Sequence, residues 1–108
     1  MANVFKSFTV DGITSETGFG AVASSKVQVV IGLQVANVGA STATVTATLQ
    51  DGSVGGDPKI HIVKSVPIPV GASLSLLDGK IIAETTDQVF LTSDIAVDGI
   101  LSVLEQDV

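Results

Sequence analysis

Apolar and polar side chains alternate along most of this chain, and a period of two puts successive residues on opposite faces of a β-strand. The clearest case is TATVTATLQ, where Ala43, Val45, Ala47 and Leu49 form one face and Thr42, Thr44, Thr46 and Thr48 the other. In KVQVVIGLQVANV the same period sets Val27, Val29, Ile31, Leu33 and Val35 against Gln28, Val30, Gly32, Gln34 and Ala36. The short link from Asn37 to Ser41 makes these two strands antiparallel neighbours. LSLLDGKIIA predicts a hairpin, with Leu74 to Leu77 and Lys80 to Ala83 as arms, because Asp78-Gly79 suits the positive φ angles of a type I′ turn.

Further strands follow from turn signals and proline spacing. DGSVGGDP closes the second strand and KIHIVKS begins the next. In VPIPV, Pro67 and Pro69 lie two apart and remove donors from one edge only, which marks an edge strand or a crossing between sheets. VFLTS and GILSVLEQ supply the last strands, while VFKSFTV near the N-terminus either pairs in or reaches out as an arm. The expected fold is all-β: an antiparallel β-sandwich of seven to eight strands with Greek-key or jelly-roll connections. It forms one domain, with residues 1–25 as the N-terminal strand or arm and loop, and 26–108 as the sandwich core.

Composition supports this class and narrows the function. Val, Ile and Thr make up about a third of the 108 residues, and β-branched side chains suit a pleated surface. There is no cysteine, so stability rests on packing or on oligomer partners rather than on disulfides. A mean hydropathy of +0.58 is high, yet the longest apolar stretch is broken by Gln28, Gln34 and Asn37 and is too short to span a bilayer as a helix. MANVFKSFTV lacks the pattern of a secretory signal, so cytoplasmic synthesis is expected. A net charge of −6 with five Lys and no Arg argues against direct binding of nucleic acid. The Asp-Gly pairs at 11–12, 51–52, 78–79 and 98–99 read as turns and account for half of the Asp residues.

Candidate chemistry is sparse. Gly18-Phe19-Gly20-Ala21-Val22-Ala23 matches a loose dinucleotide fingerprint, but no strand-to-helix context surrounds it. Asp51, Ser53, Gly55 and Asp57 resemble half of a calcium loop, whose bidentate acid is replaced by Ile62. His61 is the lone histidine; a catalytic role would need acids such as Asp57, Glu84 or Asp87 to reach it, and no spacing indicates this. Trp and Tyr are absent, which disfavours a sugar platform and leaves Phe5, Phe8, Phe19 and Phe90 for packing. No catalytic, cofactor or metal residues are assigned, and an enzyme is not expected. The stretch from Val27 through Gln50 carries no charge, whereas exposed strands are ordinarily guarded against pairing. An interface is therefore expected at Thr42, Thr44, Thr46 and Thr48, with Val4, Phe5 and Phe8 of the N-terminal strand.

KVQVVIGLQVANVGASTATVTATLQD, KIHIVKSVPIPVGASLSLLDGKIIAETTDQVFLTS and ILSVLEQ together resemble a group of small tailed-phage virion proteins over about residues 26–106. The resemblance carries the "IP-x-G-x-S-L-x-L-L-x-G-K" segment and a closing "LSxLE" strand. It implies a non-enzymatic capsid cement or decoration protein, with a tail, neck or baseplate component as the alternative; a calcium or small-ligand module using the Asp51 to Asp57 loop is a further alternative, read from the residues themselves. The implied partners are copies of itself, for instance as a trimer, and a major capsid or other virion protein, with no membrane. The implied location is the virion.

Overall fold

The computed structural model describes residues 3–52 and 55–108, and these form two antiparallel sheets packed as a sandwich. The strands are β1 (Asn3–Ile13), β2 (Thr17–Gly18), β3 (Lys26–Asn37), β4 (Ala43–Gln50), β5 (Lys59–Ile68), β6 (Ser73–Ser75), β7 (Ile81–Ala83), β8 (Gln88–Ser93) and β9 (Val97–Asp107). One sheet, A, runs β1-β9-β3-β6, with β7 also paired to β3; the other, B, runs β2-β8-β4-β5. Every connection crosses between the sheets except β4 to β5 and β6 to β7, which is the winding of a jelly roll. The described residues contain no helix long and apolar enough to cross a membrane.

The inner faces interdigitate around Leu33, Val35, Val45, Ile68, Leu91, Val97 and Val103, all fully buried. Ile13, Phe19 and Val22, from the first quarter of the chain, belong to the same core. VFKSFTV lies in β1 and pairs with β9 from Asn3↔Gln106 to Ile13↔Val97. The proline pattern is met as well: β5 is the edge of sheet B, and the chain leaves it at Ile68 to enter β6 in sheet A.

Four local expectations change. The strands around Val27 and Thr42 are not neighbours: β3 lies in sheet A and β4 in sheet B. Each has one apolar face to bury, and a short link meets that need by crossing the core instead of turning within a sheet. The Asp78-Gly79 hairpin does not form, because β6 and β7 both run antiparallel to β3 and therefore in the same direction as each other. They are two pieces of one broken edge strand. Asp11-Gly12 and Asp98-Gly99 are not loop turns: the first sits in a bulge of β1 with Gly12 at φ 62°, and the second lies within β9. A Cβ on Gly99 would come 3.0 Å from Leu91 and 3.1 Å from Phe19, so close sheet packing accounts for that glycine. The fourth change is in β3, where a register shift between Val30 and Gly32 breaks the single period. Gln28 and Val30 face inward before it and Leu33 and Val35 after it, which turns Val27, Val29 and Ile31 outward.

With no disulfide, buried polar side chains hold the corners. Asn37, 3% exposed, donates through Nδ2 to the carbonyls of Ser41 and Ile68 at 2.8 Å each, and its Oδ1 accepts from the Gly39 N–H at 2.9 Å. It thereby fixes the β3–β4 crossover against the end of β5. Asp87 accepts from the Gly52 and Glu84 N–H groups at 3.0 Å and ties the β4–β5 loop to the β7–β8 link. At one end of the core, Glu105 accepts from Lys6 Nζ at 2.8 Å and from Gln28 Nε2 at 3.0 Å, joining β1, β9 and β3. Hydrogen bonds from Lys6, then from Gln28, hold the Glu105 carboxyl below the usual glutamate range against the opposing effect of burial.

Two outcomes follow. Asn37→Ala leaves buried carbonyls and an N–H unpaired and should cost about 2–4 kcal/mol, read as a lowered midpoint in urea unfolding followed by circular dichroism. A Glu105 pKa lowered on folding stabilises the native state above the unfolded value of about 4.3, and that contribution disappears as pH falls through the folded pKa. The native chain should therefore lose stability between about pH 5 and pH 3 more steeply than Glu105→Gln, and parallel pH profiles would rule this contribution out.

Candidate assembly surfaces

Sheet edges and faces are the sites where an all-β domain meets partners, and the four edges here differ sharply. β2 has two residues, and β6 and β7 three each, too short to template a partner strand. β5 is long but guarded: it carries Lys59, Lys64 and Pro67, Ser65 at φ 54°, and two register shifts against β4. β1 has eleven residues and pairs on one side only, with β9. Lys6, the sole charge among Asn3 to Val10, is neutralised by Glu105, and the only irregularity lies past Val10.

The two outer faces also differ. On sheet B, cross-strand partners place Thr46 beside Thr92, Gln50 beside Gln88 and Lys59, and Thr48 between Phe90 and His61. Lys59 Nζ stands 4.2 Å from the Phe90 ring centroid and pairs with Glu16 at 2.8 Å, so this face is polar and charged at its margin. On sheet A, Phe5, Leu104, Val29 and Ile82 form a continuous row across all four strand positions. Phe5 is 75% and Ile82 54% exposed. Ile31 at the bulge and Ile100 add further exposed apolar surface on the same side. Asp11 and Asp98 stand at the far, bulged end of β1 and β9, and exposed Glu84 follows the end of β7 at the margin beside Lys26 and Val27. At the other end Lys26 is paired with Asp107, and hydrogen bonding by that carboxylate holds the ammonium pKa above its ordinary value.

The residues expected to form one interface therefore lie on opposite sides of the sandwich. Phe5 projects from sheet A, Val4 is half exposed at its edge, and Phe8 packs partly against the core. Thr42 and Thr44 are exposed at the other sheet, Thr46 accepts from the Ser65 N–H at 3.0 Å, and Thr48 is buried. The Thr48 hydroxyl finds no hydrogen-bond partner among the described residues, enclosed as it is by its neighbours Phe90 and His61. The alternating pattern missed the Val29 and Leu104 part of the row because their apolar character reads as core.

An apolar groove of about 490 Å³ opens where β5 faces the broken β6–β7 edge, lined by Leu49, Ile60, Ile62, Leu76, Leu77 and Ile81, with Asp51, His61 and Asp78 also along it. Asp87, one of the acids considered for His61, spends its carboxylate on loop N–H groups. No group of three or more metal-ligating side chains occurs among the described residues. Ser53 of the calcium-like half-loop lies outside the described residues; Asp57 is exposed at φ 48°.

No family model and no curated protein matches the chain. Among solved structures, a chain described under "Bacillus endospore appendages form a novel family of disulfide-linked pili" has a similar fold, with a TM-score of 0.53 and 14% identity over 99% of this chain and 88% of that one. The resemblance to phage virion proteins is corrected by this whole-chain likeness, and the cement, tail, neck and baseplate roles and the virion location go with it. The segments that carried the resemblance place Ile68, Leu76, Leu101 and Val103 in the core, so their letters report sandwich packing and not a capsid partner. The likeness is one of fold, and it stops short of the linkage: this chain has no cysteine with which to form a disulfide.

Proposed function

We propose that this protein is a non-enzymatic structural subunit that assembles with copies of itself into an extracellular fibre of the pilus kind. The observation that carries this reading is β1, a long, unguarded edge strand whose outer backbone groups can pair with another chain. The other edges are short or obstructed, so the best partner for β1 is β1 of a second copy, joined antiparallel. Such a contact is isologous, with the same patch on both subunits, and it joins two A sheets into one. The whole-chain fold likeness to a chain from spore-appendage pili supports a polymerising role. Without cysteine, assembly relies on backbone pairing and apolar burial, and mass action sets its extent.

Light scattering with refractive-index detection suits a chain lacking Trp and Tyr. The measured mass should rise with concentration and be indifferent to reductant. Amide exchange on the same samples should show β1 protected at alternate residues in dilute protein and at nearly all residues when assembled. A mass that stays monomeric at millimolar concentration, with β1 protection unchanged, would sink this reading.

A further inference from the structure

A single isologous edge contact closes as a pair, so a fibre needs a second, different contact. We infer that the outer face of sheet A is that contact, packed against the same face of another copy. The inference rests on the self-association proposed above and names the surface through which pairs propagate.

The β3 bulge is what builds this face. Had β3 kept one period, Val29 would lie on the core side with Leu33 and Val35; the register shift turns Val29 and Ile31 outward beside Leu104. The result is an uncharged, largely apolar centre on a chain whose net charge is −6. Charges at the middle of this face would repel an identical copy, whereas a partner of opposite charge would be met by acids here. The acids stand off this centre: Asp11 and Asp98 lie at the bulged end, about 20 Å along β9 from Leu104 at roughly 3.4 Å per residue, Asp107 is paired with Lys26, and Glu84 follows the end of β7 at the margin beside Lys26. Aligned sheets cross at about 30°, which splays the strand ends apart, so Asp11 and Asp98 in two copies stand beyond the roughly 8 Å Debye length.

Size and shape also fit a second copy. Strands of eleven residues across four positions give a face roughly 36 Å by 19 Å, near the scale of about 800 Å² per partner in a stable interface. A two-fold axis in the interface and parallel to the strands lays the row on itself in reverse. Phe5 then meets the partner copy's Ile82 position, and Leu104 meets its Val29 position. The bulky aromatic at one end of the row faces the smaller aliphatic at the other, so the row is complementary to its own image. Alternating this two-fold with the β1 two-fold generates an open chain of subunits, because the first axis runs along the middle of the face and the second stands at the β1 edge, and two-fold axes that do not intersect combine into a motion with a translation instead of a closed ring.

The reversed register is testable by charge exchange. Phe5→Asp and Ile82→Lys should each reduce the assembled mass to that of the edge-joined pair, with circular dichroism unchanged. The double variant, which places Asp against Lys at both ends of the row, should recover the larger species, and raising salt should weaken it. Ile82 lies on β7, away from β1, so the exchange protection of β1 should persist in Ile82→Lys. An Ile82→Lys chain that assembles like the unmodified protein would overturn the inference while leaving edge pairing intact. Loss in both single variants without recovery in the double would equally overturn it, since the face would then meet some other surface. Failure of the unmodified chain to associate would instead remove the parent reading.

Discussion

Sheet A depends on a ladder that the chain can complete only at its end. β9 inserts between β1 and β3 and pairs with both along nearly its whole length, so the last strand joins the first to the third. Before it is in place, β1 and β3 share no ladder and the inward residues Leu101 and Val103 have no core to enter. Pairings this distant in sequence carry a large loop-closure cost before they contribute, which is the general penalty of jelly-roll topologies. The same insertion determines the surface. With β9 central, β1 becomes the sheet's edge and presents a long row of unpaired backbone, and Leu104 becomes the middle of the outer apolar row.

Buried polar groups do here what disulfides do in many small domains lacking a large core. Asn37, Asp87 and Glu105 each accept or donate at several places far apart in sequence, and each joins segments that the apolar core alone would leave free to slide. Their cost of burial is offset because every polar atom of these three side chains has a hydrogen-bond partner. This removes the need for cystine within the chain, which has no cysteine. The likeness to a disulfide-linked pilus protein is thus a likeness of winding, achieved with different fastenings.

Much of the architecture is legible residue by residue. The alternation in β4, the prolines at the end of β5 and the wealth of β-branched side chains identify a two-sheet, all-β domain, because each reflects a local rule: pleat, missing donor, side-chain shape. The errors share one cause. Asp78-Gly79 has hairpin chemistry, but whether its flanking segments pair with each other or with β3 is decided by β3's free edge. Asn37 to Ser41 has the length of a turn, but length does not say whether it stays in one sheet or crosses the core. The uncharged stretch from Val27 to Gln50 indicates unguarded surface without showing that it divides between two sheets facing opposite ways.

By itself the sequence determined the fold class, most of the longer strands, the freedom from disulfides and the lack of any strong catalytic motif, since these follow from composition and from interactions within a few residues. Only the tertiary structure decided strand order, the bulge at Ile31 and the faces to which Phe5, Val29, Leu104 and Thr48 belong. Register has a period of two, so one inserted residue exchanges inside for outside along the remainder of a strand. No local pattern records that exchange until the neighbouring strand is in place.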